Sequence, residues 1–253
     1  MFVRKEYRPG ASRSTRGHDC RVEPSRLALL GAAAAVAAVI NSVAGGGSLV
    51  SFPALLALGV PPVLASATNT VALTPGNVAS AVAYRSELGR ELVVLAALAA
   101  AGGVVGAVAL VSAPPRAFEL VVPWLVALAT LLLVVDVGLE RPSRTGIVLV
   151  SVYGGYFGAG IGMLVLALLG RGDIHHKNAR KSVIVAAVNG AASVYFLVSG
   201  RVEVAPALVM AAGAIAGGYG GAAVARRVSA RHVRWVVVAI GGLLTALLAI
   251  RYY

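Results

Sequence analysis

From Leu27 to Leu58 the chain runs for 32 residues with no polar side chain except Asn41, Ser42, Ser48 and Ser51. As one α-helix it would reach about 48 Å, well beyond a hydrocarbon core of roughly 30 Å. The run must tilt hard or break, and Ala44-Gly45-Gly46-Gly47-Ser48 is where a break costs least. Broken backbone at membrane depth is tolerated only where protein or a water-filled cavity covers it. A helix restarting near Ser48 offers free N–H groups and a positive dipole end, which suits an anion. Gly45, Gly46, Gly47 and Ser48 are therefore candidate binding residues. The segment Tyr153–Gly162 is a counterpart further along, and it adds Gly158, Gly160 and Gly162 as candidates. Paired glycine-interrupted spans are a pointer to a substrate site. The competing reading is close helix packing through small residues. It carries more weight for Gly102/Gly106 and Gly217/Gly221 than for three glycines in a row.

Composition places this feature in a membrane. Of 253 residues 58% are hydrophobic and 13% charged, against about 25% charged in soluble domains. Apolar spans are expected at 27–44 with a continuation at 48–58, then at 65–84, 91–111, 118–138, 146–169, 178–199, 203–225 and 232–250. The fold class is all-α: a polytopic integral membrane protein of about eight transmembrane helices, multi-pass in the cell membrane. The net charge of +12 sits between apolar spans rather than on a separate basic face. It fits anionic lipid and the bias of Lys and Arg toward cytoplasmic loops, not a nucleic-acid partner. Residues 1–26 read as a basic, disordered cytoplasmic tail. A cleaved signal peptide fits less well, because the apolar run does not stop where cleavage would be needed. The single cysteine, Cys20, excludes an internal disulfide.

The spans repeat at an offset of 111 residues. Gly59 maps onto Gly170, Tyr84 onto Tyr195, Gly89 onto Gly200 and Arg90 onto Arg201. Gly102 maps onto Gly213, Gly106 onto Gly217, Arg116 onto Arg227 and Trp124 onto Trp235, so both tryptophans fall in register. Two membrane repeats are expected, 27–138 and 146–253, joined by a loop at 139–145, each opening with a glycine-broken helix. Internal repeats are characteristic of secondary transporters. With eight simple crossings and the N-terminus inside, the Arg171–Lys181 and Arg226–Arg234 clusters fall outside, against the positive-inside bias. If one glycine-broken region is re-entrant or crosses twice, they move inside.

Two polar stripes follow the glycine breaks. Ser66, Asn69, Thr70, Asn77, Ser80 and Tyr84 lie within about 100° of one another on a helix, with Pro75-Gly76 as an expected kink. At the offset, Ser66, Asn69 and Thr70 become Lys177, Arg180 and Lys181, followed by Ser182, Asn189 and Ser193. Polar residues at depth face the bundle interior or a wet cavity, or serve as hydrogen-bond links between helices. Arg180 and Lys181 are candidates for an anion, with interfacial anchoring as the alternative.

Other chemistry is poorly supported. Asp173, His175 and His176 form no metal-ligand cluster with a further His or Cys, and a solvated loop is the reading here. Asp136, late in the fourth span, suits proton coupling or snorkelling to the interface equally. No phosphate-binding loop, hydrolase elbow or catalytic triad is present, so neither an enzyme nor a cofactor is expected.

The stretch from Asn41 to Thr70 holds a glycine cluster, Pro53-Ala-Leu-Leu, Leu58-Gly-Val-Pro and Ala65-Ser-Ala-Thr-Asn. It resembles the signature of the TauE/SafE sulfite exporter family, and Tyr156-Phe-Gly-Ala-Gly-Ile-Gly is similar to that family's second glycine cluster. The resemblance covers roughly 27–253. It implies a duplicated eight-span permease for sulfite, sulfonates or related small organic anions, and it adds Thr68 beside Asn69 to the candidate contacts. A basic tail like residues 1–26 is not typical of that family. The expected partners are a small anionic substrate and the lipid bilayer, and a homo-oligomer is possible. A passive anion channel or a membrane assembly subunit are the alternatives.

Overall fold

The computed structural model describes residues 23–43, 45–83, 90–134, 143–169, 174–225 and 230–253. Among these, ten helices follow one another. They are α1 (Pro24–Val43), α2 (Ser48–Ala57), α3 (Pro62–Ala83), α4 (Arg90–Ser112), α5 (Pro115–Val134), α6 (Arg144–Tyr156), α7 (Ile161–Leu168), α8 (Ile174–Val198), α9 (Val204–Ala225) and α10 (Ala230–Tyr252). The two expected breaks are present, between α1 and α2 and between α6 and α7. Six continuous helices and two broken ones make eight helical units. Four helices are long and apolar enough to cross a membrane by length and composition, among them α4 and α8.

Local chemistry sets the ends. Proline opens α1, α3 and α5 at the first helical position, where its missing N–H costs nothing. Helix α1 therefore starts at Pro24, inside the expected tail, and α6 starts at Arg144, inside the expected loop. Ser143 caps α6 by accepting from the Gly146 N–H at 3.3 Å. After α2, Gly59 takes φ +83°, and the Val60 and Gly59 N–H groups return to Leu55 and Leu56. Gly200 ends α8 in the same way, with Arg201 and Gly200 bonded to Phe196 and Leu197.

Neither broken helix runs straight on. Gly154 of α6 faces Ile161 at the start of α7, while Gly146 near the start of α6 faces Leu168 at the end of α7. Helix α7 thus doubles back along α6. In the first half Gly47 sits on the backbone of Ala37, ten residues earlier, and its N–H donates to the Asn41 side chain at 2.7 Å. The pairs α1–α2 and α6–α7 are called hairpin 1 and hairpin 2 below.

Packing between the halves fixes the direction of every element. Helix α9 lies parallel to α1, with Gly213 on Gly31 and Gly217 on Ala35. It also lies parallel to α3, because the Glu203 N–H just before it reaches Thr68 and Gly76 meets Ala214. Helices α1 and α3 therefore begin at one end of the molecule, and hairpin 1 returns to the end it came from. The second half repeats this at the opposite end. Helix α4 lies parallel to α6, with Gly102 at Ser151 and Gly106 at Val152 and Tyr156, and parallel to α8, with Gly103 at Val188. Close packing is thus the role of Gly102, Gly106 and Gly217, since each brings two backbones together where a side chain would not fit. The surroundings of Gly221 lie outside the described residues.

The consequence is a sorting of charge. Arg90, Arg144, Lys177, Arg180 and Arg234 lie near one end with Glu91, and the segments joining those helix ends in sequence carry Arg85, Arg141, Arg171, Arg226 and Arg227 with Glu87, Asp136, Glu140 and Asp173, so basic residues outnumber acids two to one there. The other end has Arg26, Arg116, Arg201 and Arg251 with Glu23, Glu119 and Glu203. Re-entry of both broken helices brings the N-terminal ends of α4, α6, α8 and α10 to one face, with that of α1 at the other. Cysteines placed at Pro61 and Arg201 in a Cys20→Ser background should label from the same side of sealed vesicles, and one at Ser143 from the opposite side. Labelling of Pro61 and Arg201 from opposite sides would mean that hairpin 1 crosses the bilayer.

Candidate binding site

The hairpin tips meet at the centre. Gly45 and Gly46 adopt φ +77° and +86°, a region that L side chains avoid, and both lie against Met163 near the start of α7. Gly158 and Gly160 take φ +75° and +77° at the other tip. Gly158 lies beside the Thr70 hydroxyl, and Ser66 donates to the Phe157 carbonyl at 3.3 Å. Tyr153 braces this tip by donating to the Ala159 carbonyl at 2.9 Å. Phe157 packs among Phe52, Phe118 and Tyr153, with its ring edge-on to Phe52 at 5.4 Å. The N-terminal ends of α2 and α7 are thereby held inside the protein, each bringing a positive dipole end to the same region.

Lys181 adds a full charge there. It is 5% exposed, and it is the one charged side chain buried among the described residues. Its Nζ donates to the Asn41 carbonyl at 3.3 Å and to Asn178 Oδ1 at 3.0 Å, both neutral. Its stem lies against Gly162 in the first turn of α7. A buried cation needs an anionic partner or strong hydrogen bonds to offset desolvation. Among the described residues Lys181 has two bonds to neutral oxygens and no acid. Together with two helix N-termini, that makes the meeting point of the tips attractive to an anion.

The other candidates divide. Asn69 is buried and accepts from Ser51 Oγ at 2.6 Å, tying α2 to α3. Thr70 donates to Ser66 O within its own helix, at 3.0 Å. Helices α3 and α8 run antiparallel, joined by the Thr74 and Ser193 hydroxyls at 2.8 Å. Asn189, 6% exposed, lies one turn before Ser193, and its Oδ1 has no hydrogen-bond partner. Asn77 lies about two turns beyond Asn69, half-buried and outside the cluster around the tips. The structure does not bring Arg180 or Thr68 to the centre. Arg180 is exposed and reaches Glu91 of α4 at 3.8 Å, while Thr68 is spent on the Glu203 N–H. Ser48 is buried at the start of α2.

Sequence reasoning missed Asn178, Asn41 as a link between helices, and Thr74. Thr74 had a usable signal in its position four residues after Thr70, on the same face. Asp136, Asp173 and Tyr84 lie outside the described residues, as does the side chain of His175. Among the described residues no three His, Cys, Asp or Glu side chains come together as metal ligands do.

The chain is 27% identical over 238 residues to a "Probable membrane transporter protein" of Haemophilus influenzae, covering 87% of this chain and 93% of that relative. It is 31% identical over 150 residues to "Probable membrane transporter protein ORF9" of a Sinorhizobium species, covering 54% of this chain and 58% of that relative's length. No solved structure matches it significantly. The family profile described as "Sulfite exporter TauE/SafE" matches residues 30–248. A helical membrane protein whose sequence fits that profile across nearly its whole length belongs to the TauE/SafE family of membrane transporters.

Proposed function

We propose that the protein is a secondary transporter of small anions, with sulfite, sulfonates or related organic acids as the substrate class. The observation that carries this reading is Lys181, a buried ammonium with no acidic partner among the described residues, set where two half-helix N-termini converge. The geometry sets a buried ammonium beside two half-helix N-termini, and transporters turn such N-termini toward carboxylate-bearing substrates. The α3–α8 seam supplies polar side chains on either side of it, Ser66, Thr70 and Thr74 on one helix and Asn189 and Ser193 on the other. Two hairpins entering from opposite ends give the bundle two similar barriers. Movement of one against the other would expose the seat to each side in turn. The sulfur-specific part of this reading rests on the family description alone.

Uptake of labelled sulfite, or of a taurine-like sulfonate, into proteoliposomes tests it. Saturable flux is expected, falling several-fold in Asn69→Val and in Thr70→Val. The first substitution strands the Ser51 hydroxyl at a cost of about 1–3 kcal/mol. The second removes the hydroxyl against which hairpin 2 rests. Flux unchanged in both variants would remove these residues from the site. Flux that never saturates would favour a channel.

A further inference from the structure

Among the contacts between the halves at the tips, one is made by a charged group. Lys181 belongs to α8, yet its ammonium reaches the carbonyl of Asn41 in the last turn of α1. That carbonyl is one of the orphans every helix C-terminus leaves. The N–H that would have closed on it, from Gly45, turns to Ile40 instead, at 3.1 Å. Lys181 therefore supplies the donor that the helix itself does not. Asn41 works at both ends: its carbonyl takes Lys181, and its side chain accepts from the Gly47 N–H that starts the return of hairpin 1. One residue thus couples the buried ammonium to the shape of the tip.

The other half holds its hairpin differently. The residue equivalent to Lys181 at the 111-residue offset is Thr70. Its hydroxyl stays on its own helix, and hairpin 2 is held through the neutral bond from Ser66 to Phe157. Only hairpin 1 is tied across the halves by a charged group among the described residues. An ammonium gains more from an oxyanion than from a neutral oxygen, because direct charge–charge attraction is added to the hydrogen bond. An anion arriving at the start of α7, beside the Lys181 stem, competes for the proton donor that holds Asn41.

We propose that Lys181 is a substrate-released latch: a small oxyanion in the seat takes its ammonium from the Asn41 carbonyl, and hairpin 1 is thereby freed from α8. The idea rests on the anion-seat reading above and adds to it which element moves and why only a loaded transporter moves it. A ligand shifts a conformational equilibrium only by its differential affinity for the two states. Here the difference lies in the exchange of a neutral partner for a charged one.

Hydrogen exchange of the purified full-length protein, read by mass spectrometry across residues 41–50, tests the latch, with methanesulfonate as the probe. Calorimetry on the same sample reports binding independently. Saturating methanesulfonate should speed exchange in this segment at least threefold, with little change in α5 and α10. Lys181→Met should exchange fast with or without the probe. Arg180→Gln, an exposed neighbour that does not touch Asn41, should respond like the original protein. If methanesulfonate binds but exchange at 41–50 is unchanged or slower in the original protein, the latch is wrong and the anion seat stands. If neither methanesulfonate nor sulfite binds, the seat fails and the latch with it.

Discussion

Lys181→Met should lower anion affinity and transport about 10- to 100-fold while leaving a folded protein. A hydrogen bond to a charged group contributes about 1.5–3 kcal/mol, and each 1.4 kcal/mol is tenfold in affinity. Folding should survive because a buried cation replaced by an apolar side chain of similar volume is often neutral or stabilising. The losses on the protein side are the two bonds to Asn41 and Asn178, both to neutral oxygens. Arg180→Gln is the control. It removes an adjacent positive charge, but from an exposed side chain paired with Glu91, where such pairs contribute about 0–1 kcal/mol. Transport within about twofold of the original is expected for it by the same reasoning. Flux assays on both variants, with calorimetry for binding, check the pair. An equal loss in the two would point to general attraction of anions rather than to a seat at Lys181.

Gly47→Ala should damage the first half severely for a single added methyl. Its φ of −56° suits any residue, so the obstacle is space and not backbone conformation. A Cβ there would run into the carbonyl of Ala37, and a backbone atom in α1 cannot swing aside as a side chain can. Overpacking of this kind costs about 1–3 kcal/mol or more, and a chain of this size loses roughly 2–4 °C of Tm per kcal/mol. A fall in Tm of about 5 °C or more is expected, with opening of hairpin 1 and loss of transport. Gly190→Ala is the contrast. It sits within α8 with nothing near where its Cβ would go, and a mid-helix glycine costs about 0.5–1 kcal/mol relative to alanine. Its Tm should be unchanged or higher. Thermal unfolding in detergent measures both, and equal Tm values would contradict the close approach of Gly47 to Ala37.

The breaks were legible because span length is a hard constraint. Thirty-two apolar residues do not fit across a bilayer as one helix, and glycine is where the backbone yields at least cost. The direction the chain takes after each break was not legible. It depends on Gly47 reaching Ala37, and on α9 and α4 presenting small residues to the first helix of the opposite half. Those glycines already carried a mark in sequence, since Gly102 and Gly106 match Gly213 and Gly217 at the repeat offset. Close packing and site lining leave the same mark, so only the partners decided between them.

The site followed the same division. Adjacent residues on a helix point about 100° apart, so Arg180 and Lys181, equivalent as sequence, were bound for different surroundings. One faces outward to Glu91 and the other inward to Asn41. Thr68 and Asn69 parted in the same way, to the α8–α9 turn and to Ser51. The sequence by itself determined a helical membrane protein with two glycine interruptions, because solvent and span length dictate those locally. The return of each broken helix and the burial of one lysine between two helix ends were decided by tertiary structure. The lysine is buried by a contact with Asn41, 140 positions away, and each return rests on fits such as Gly47 on Ala37 and Gly154 against Ile161, whose pairing no periodic pattern encodes.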